Sequence, residues 1–207
     1  MVGQGHYTWS RNSGNTEGQL LSDIGQADVS TTQAFDFPEF SVNINGLLPN
    51  NRTHQVKLFG YVQATPEIGV GGNLLMASGR PKNCIGNAPV TTPLVTPFIP
   101  GVSPVTNYSG YGSAYFFCDG VAAPRGSFGT LPPDIRMDLN FQFKPESFKG
   151  LGLKMDIFNV FNTQTIETIE ERKYNRNLTT VLTSYNAVQS YSAPRSVRFT
   201  ASYDYKF

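Results

Sequence analysis

The end of the chain, residues 197–207, alternates between apolar and polar side chains without interruption. Its apolar or aromatic positions are Val197, Phe199, Ala201, Tyr203, Tyr205 and Phe207. A period of two predicts a β-strand with one apolar and one polar face. Chain ends usually fray in water, so a terminal strand that finishes on three alternate aromatic residues needs a surface that buries them. Whatever fold the chain adopts must therefore cover this last strand on one side.

The same alternation recurs upstream. It is complete at 134–144, where Ile135, Met137, Leu139, Phe141 and Phe143 share one face. With partial alternation included, the sequence predicts strands at 6–11, 53–64, 68–78, 134–144, 151–162 and 197–207, and a short strand at 40–44. The chain is thus predicted to be all-β, an antiparallel up-and-down meander of about six strands.

The connections between these strands alternate in length. The turns at 65–67 and 145–150 are short, whereas 12–51, 79–133 and 163–193 are long. All short turns therefore fall at one end of the sheet. Soluble β-sandwiches also alternate polar and apolar residues, and such an adhesin or carbohydrate-binding β protein is the alternative. Loop lengths sorted by end, and strands of about ten residues, are typical of outer-membrane barrels.

Composition excludes several other classes. No run of about 18 apolar residues exists, so no transmembrane helix is expected. A net charge of +1 offers no basic patch for phosphates, so no nucleic-acid partner is expected. The first residues lack the basic start and apolar core of a signal peptide, so an exported protein would begin upstream of Met1.

Four motifs resemble one family. They are LPNNRTH at 48–54, SGRP at 78–81, DIFNVFN at 156–162, and Pro194-Arg195 leading into a strand that ends on Phe207. In these motifs the chain resembles the C-terminal part of a TonB-dependent outer-membrane receptor, of the Oar-like branch. The motifs are spread over most of the chain from Leu48 onward.

The resemblance implies a barrel of about 22 strands with a plug inside, in the outer membrane of a Gram-negative bacterium. It implies energy-coupled uptake of a scarce ligand, with no cofactor. Residues 1–207 would be the C-terminal part of the barrel, without plug or signal peptide, and inactive alone because closed barrels need about eight strands. The implied partners are outer-membrane lipid, the plug domain, the TonB system and the barrel assembly machinery. That machinery would read the terminal strand through Phe199, Tyr203, Tyr205 and Phe207.

Both cysteines, Cys84 and Cys118, lie in the long connection at 79–133. In an oxidising exterior we expect them to form a disulfide; two free thiols are the alternative. No histidines stand near them to complete a zinc site. The same connection carries the candidate ligand-contact residues Tyr108, Tyr111, Tyr115, Phe116 and Phe117. Aromatic rings on a loop can stack on a ligand, or they can pack on one another to hold the loop.

The charged residues do not form a catalytic constellation. Those on the polar faces of the strands mix both signs, which favours ion pairs inside a lumen or contact with a plug. Asp134 and Asp138 are about 13 Å apart along a strand, too far for a glycosidase pair. His6 and His54 lack a nucleophile partner. The acidic segment from Glu17 to Glu39 is expected to be a solvated face; attraction of a cation or a basic ligand is the alternative. The chain is therefore not expected to be an enzyme.

Overall fold

The computed structural model describes residues 1–29, 32–36, 38–88, 114–175 and 180–205. Within these ranges the chain is all-β, apart from two 3-10 turns at Ser22–Ile24 and Pro38–Ser41. Its strands, in chain order, are β1 (Val2–Trp9), β2 (Ser13–Gly14), β3 (Gly46–Leu47), β4 (His54–Gln63), β5 (Ile68–Ala77), β6 (Phe117–Cys118), β7 (Val121–Ala122), β8 (Asp134–Phe143), β9 (Leu151–Phe158), β10 (Ile166–Ile169), β11 (Val188–Tyr191) and β12 (Ser196–Tyr203).

Six long strands form one antiparallel sheet in the order β1-β4-β5-β8-β9-β12. Each long strand pairs with the next long strand along the chain, so the predicted meander of six strands is confirmed. The bounds of β4, β5 and β8 agree with the prediction to within one residue. β9 stops early, at Phe158, and β12 at Tyr203, while β1 begins at Val2 and ends at Trp9 where the sequence predicted 6–11. Among the described residues β1 and β12 each have one unpaired edge, and the sheet does not close on itself.

The register aligns the apolar positions of all six strands on one side. Val56 lies opposite Met76, and Met76 opposite Ile135. Residues opposite one another share a face because side chains alternate across a strand. Following each register gives an apolar face made of Gly3, Gly5, Tyr7 and Trp9 in β1, His54, Val56, Leu58, Gly60 and Val62 in β4, Ile68, Val70, Gly72, Leu74 and Met76 in β5, Ile135, Met137, Leu139, Phe141 and Phe143 in β8, Leu151, Leu153, Met155 and Ile157 in β9, and Val197, Phe199, Ala201 and Tyr203 in β12.

Short turns join β4 to β5 and β8 to β9. At the first, the backbone amide of Ile68 donates to the Thr65 hydroxyl at 3.0 Å. At the second, Gly150 has a φ of +94°, a conformation that residues with a side chain rarely adopt. The other connections of the sheet are long, so the predicted segregation of loop lengths by end is present.

The three long connections pack together into a body that we call the loop layer. Within it, β2 pairs with β3, β6 with β7, and β10 with β11. The predicted strand at 40–44 is wrong. A 3-10 turn ends at Ser41, and Asn43 has a φ of +59°, which interrupts an extended backbone. The strand forms later, at β3, where Ser13–Gly14 supplies its partner.

The buried apolar core lies in the loop layer and not on the sheet. One cluster contains Phe40, Ala88, Ala114, Tyr115 and Phe117. A second contains Ala34, Ile44, Ile85 and Phe116. Of the buried apolar residues, Ala77 alone comes from a long strand. The loops therefore pack like the interior of a soluble protein, while the sheet leaves its apolar face uncovered.

Candidate functional site

The apolar face is the most extensive chemical feature of the described chain. No Asp, Glu, Lys or Arg lies on it in any of the six strands. Many of its large side chains are exposed, from Ile135 at 36% to Phe199 at 76%. Soluble monomers rarely expose continuous apolar patches above a few hundred Å². An exposed face of this kind marks a surface that contacts lipid or another protein.

Aromatic residues lie at both ends of the apolar face. Phe141, Phe143 and Tyr203 are at the short-turn end, and Tyr7 and Trp9 are at the loop end. The Tyr7 hydroxyl lies 2.9 Å from Nδ1 of His54. Nine residues of β4, from His54 to Val62, separate the two ends by roughly 26 Å at 3.3 Å a residue. This matches the apolar band of an outer-membrane barrel, about 25 Å tall.

The sequence alone does not identify Tyr7 and Trp9 as the aromatic residues at the loop end of the apolar face. Gly3 and Gly5 precede it on the same face, so the apolar alternation of this strand is not visible upstream of Tyr7. The signal that remained was the spacing of the two aromatic residues.

On the opposite, polar face, several charged side chains form ion pairs within the sheet. Arg136 pairs with Asp134 at 2.7 Å. Asp156 accepts from Arg198 at 2.8 Å and pairs with Lys154 at 3.2 Å. These pairs join charges of both signs on one side of the sheet, as their alternation in the sequence suggested. Lys206, which alternation also assigns to this face, lies outside the described residues.

The loop layer contains a buried charge network that joins all three long connections. The side-chain amide of Asn83 donates to Asp23 Oδ1 and to Glu171 Oε2, both at 2.7 Å. Arg80 donates to Glu171 Oε1 at 2.8 Å, and Arg125 pairs with Asp23 at 3.0 Å. All five residues are at most 6% exposed. The network brings two carboxylates, two guanidinium groups and one amide together, so its formal charges balance.

Burial shifts the titration of this network. It raises the pKa of Asp23 to about 6, against the opposing effect of Arg125. It raises the pKa of Glu171 to about 7, against the opposing effect of Arg80. The expectation that the acidic segment is a solvated face is wrong for Asp23, which is 2% exposed. No local signal marked it, because Asn83 lies 60 residues further along the chain.

The sulfur atoms of Cys84 and Cys118 are joined in a disulfide of 2.05 Å. Cys84 follows Asn83, so the disulfide fixes β6 beside the charge network. Two of the long connections also meet closely at Gly46, where a Cβ atom would lie 1.9 Å from the carbonyl oxygen of Arg125. Only glycine fits at that contact.

Three of the candidate ligand-contact residues, Tyr115, Phe116 and Phe117, are at most 4% exposed. The rings of Tyr115 and Phe40 pack with centroids 5.0 Å apart, and the Arg125 guanidinium lies 4.9 Å from the centroid of Phe116. In this conformation these rings hold the loop together and do not face a ligand. The other two candidates, Tyr108 and Tyr111, lie outside the described residues.

The aromatic residues at the end of the chain, unlike those of the loop, are exposed. Phe199, Tyr203 and Tyr205 are 76%, 63% and 68% exposed. Phe207 lies outside the described residues. β12 pairs with β9 along its whole length, and its second edge has no partner in the described part of the chain. The strand thus presents exposed rings and a free backbone edge.

Neither histidine stands in a catalytic arrangement. The His6 ring stacks on Phe59 at 5.6 Å, and His54 stacks on Tyr7 at 6.2 Å. The described residues contain no group of three or more His, Cys, Asp or Glu side chains placed to hold a metal ion. They also include no helix with the length and apolarity needed to cross a membrane.

Comparison with known proteins gives one distant relative to set beside this geometry. The chain is 29% identical over 174 residues to the TonB-dependent transporter Oar of Myxococcus xanthus. The aligned part is 82% of this chain and 14% of that protein. No protein-family model matches the chain. No solved structure matches it. The chain, whose described residues form a sheet with one uncharged face, is thus distantly similar in sequence to a transporter of the TonB-dependent class.

Proposed function

We propose that this chain is a segment of the outer-membrane β-barrel of a TonB-dependent transporter. Its six long strands cross the membrane, with the apolar face toward lipid and the polar face toward the lumen. The loop layer lies at the outer surface and the short turns lie in the periplasm. The observation that carries the proposal is the apolar face, which is continuous over six strands and bounded by aromatic residues at both ends.

Lipid accounts for this face better than a second protein layer does. Burying apolar surface stabilises by about 25 cal/mol per Å², and every strand contributes side chains to one side. The charges are confined to the other side, where water and opposite charges are available. A sandwich half would need a covering sheet, whereas the described loops pack on one another.

The unpaired edges of β1 and β12 indicate how the segment is completed. Lipid cannot satisfy free backbone N–H and C=O groups, so a membrane sheet must close. We infer that further strands of the same protein pair with both edges, to give the barrel of about 22 strands that holds a plug. Alone, the segment would leave two edges open and would not transport.

The proposed activity rests on the similarity to a transporter. Oar is named as a TonB-dependent transporter, and the complete protein here would take up a scarce ligand in an energy-coupled manner. Its partners would be outer-membrane lipid, its own plug domain, the TonB system and the barrel assembly machinery. The exposed rings of β12, with Phe207, would be the part that the assembly machinery reads. The location would be the outer membrane of a Gram-negative bacterium.

Adjacent positions on two strands test the membrane placement. Single cysteines at Leu74 and Asn73 in β5, and at Phe199 and Thr200 in β12, place a fluorophore on either face of the sheet. The variants are made in the protein as its gene encodes it and examined in outer membranes. Cys84 and Cys118 are bonded to each other and do not compete for the label.

We expect lipid-borne quenchers to act at positions 74 and 199, and aqueous iodide to act at positions 73 and 200. An adhesin or carbohydrate-binding protein outside the membrane would show no lipid quenching at positions 74 and 199, and that result would reject the proposal.

A further inference from the structure

A cavity of about 420 Å³ lies on the polar face at the loop end of the sheet. Its floor is formed by β4, β5 and β8, and the beginning of β10 covers it. The Thr165 hydroxyl donates to Asp134 Oδ1 at 3.2 Å and so fixes that cover over β8. The charged residues around the cavity are Arg52, Lys57, Arg80, Arg136, Asp134 and Glu167.

The cavity has an excess of positive charge. Arg136 is balanced by Asp134 at 2.7 Å, and Arg80 is balanced by Glu171, which is fully buried and does not line the cavity. Arg52, Lys57 and Glu167 remain, two cations against one anion. Within the described ranges, neither Lys57 nor Glu167 forms an ion pair.

All three guanidinium groups at the cavity have partners, and two of them, those of Arg80 and Arg136, also keep an unsatisfied donor. Arg52 Nη1 donates to the carbonyl oxygens of Asn51 and Pro49 at 3.0 and 3.4 Å, which anchors it at the wall. Burial, and next the charge of Arg80, lower the pKa of Arg52. Among the described residues, the Nε atoms of Arg80 and Arg136 have no hydrogen-bond partner, and Arg80 is only 6% exposed. Buried donors of this kind are costly unless an acceptor reaches them.

We propose that this cavity binds a small oxyanion, with a phosphate or a carboxylate group between Arg52, Arg80 and Lys57. Guanidinium groups suit both ligands, because they donate charge-assisted hydrogen bonds to paired oxygens. Lys57 adds charge from the exposed side, and Glu167 limits affinity by repulsion. The site depends only on the cavity and its charged lining, and it is present whether or not the strands cross a membrane.

Calorimetric titration of the complete protein in detergent tests the site, with inorganic phosphate and with succinate at constant ionic strength. We expect one saturable site for at least one of the two probes. Lys57→Gln and Arg52→Gln each weaken binding about tenfold, as expected for loss of one charge-assisted contact. Glu167→Gln tightens it about threefold, because a like charge is removed from the rim. The preferred probe identifies the group as phosphate or carboxylate.

Lys144→Gln is the matched control, since it removes a positive charge from the short-turn end of the sheet; its affinity should equal that of the unmodified protein. If Arg52→Gln does not fold, Lys57 and Glu167, both exposed, still decide the outcome. Absence of saturable binding for both probes, or equal affinity in Lys57→Gln and Lys144→Gln, overturns the site. Either result leaves the quenching pattern at positions 73, 74, 199 and 200 unaffected, so the two proposals fail separately.

Discussion

Arg80 and Glu171 lie 91 residues apart in the chain and form an ion pair at 2.8 Å, with side chains 6% and 0% exposed. They belong to two different long connections, and Asn83 links them to Asp23 in the third. The pair therefore holds together in space two segments that lie far apart in the sequence.

Removing one member of this pair should loosen the loop layer. In Arg80→Ala the Glu171 carboxylate is left buried without its cation, which costs about 3–5 kcal/mol. We expect hydrogen exchange to accelerate in segments 80–88 and 165–175, with little change in β8. The matched control is Arg172→Ala, which breaks a pair whose arginine is 40% exposed and should cost less than about 1 kcal/mol. Equal protection in the two variants would contradict a structural role for the buried pair.

The buried carboxylates predict that the loop layer loses stability as pH rises. Burial raises the pKa of Asp23 to about 6 and that of Glu171 to about 7, from ordinary values of 3.8 and 4.5. The folded state therefore holds more protons than the unfolded state between these values, and stability falls as they are released. It should be higher at pH 5 than at pH 8 and level off above pH 8.

Hydrogen exchange of segment 80–88 at pH 5 and pH 8, corrected for the intrinsic exchange rate, measures this effect. The double variant Asp23→Asn with Glu171→Gln removes both titrating groups and should flatten the profile. The pKa values of Asp119 and Glu170 are lowered by their partners. The stability that these two carboxylates contribute is therefore lost only on acidification below about pH 5, outside the range compared. A profile that rises from pH 5 to pH 8 would contradict the prediction.

The disulfide predicts a specific thiol count. After alkylation under denaturing conditions, the peptides that contain Cys84 and Cys118 should carry no alkyl group without reductant and one each after reduction. Closing a loop across a sequence separation of 34 residues stabilises by about 4 kcal/mol in the chain-entropy model. The variant with Cys84→Ser and Cys118→Ser should therefore expose segment 114–123 to proteolysis. Alkylation of both of these peptides in the unreduced protein would show that the bond does not form.

The two faces of β5 predict opposite responses to a charge. Leu74→Lys places an ammonium group on the apolar face, where a lysine in lipid costs about 2–4 kcal/mol near the midplane. Asn73→Lys places it on the polar face, where water is available. We expect the first variant to be depleted from the outer membrane and the second to accumulate normally, as measured by heat-modifiable mobility of the membrane fraction. Equal assembly of both variants would argue against lipid at Leu74.

The long strands could be predicted from the sequence because their information is local. The alternation at 134–144 gives the face of every side chain, and the short turns at 65–67 and 145–150 fix which strands are neighbours. Alternation also gives one wrong prediction: Phe40, Val42 and Ile44 have the spacing of a strand, yet a 3-10 turn ends at Ser41 and Asn43 has a positive φ. Phe40 reaches the loop core from that turn, and Val42 and Ile44 reach it from the segment that follows.

The loop layer could not be derived in this way, because its contacts join distant residues. Asp23 is indistinguishable from a solvated acid until Asn83 and Arg125 are brought beside it. In the sequence Tyr115, Phe116 and Phe117 likewise look like exposed loop aromatics. In the fold they pack with Phe40 and Ile44, which come from another connection. Their burial depends on partners that no period in the sequence marks.

The interlocked loop layer has a consequence for how such a protein can change its specificity. A single long loop exchanged for that of a relative would bring Asp23 without Asn83 and Arg125, or Glu171 without Arg80. Recombination that respects the network must move these positions as a set, together with the glycine at position 46 that lets the loops meet. The loop layer would then be inherited as one module, while variation in single loops is confined to residues outside its buried charges.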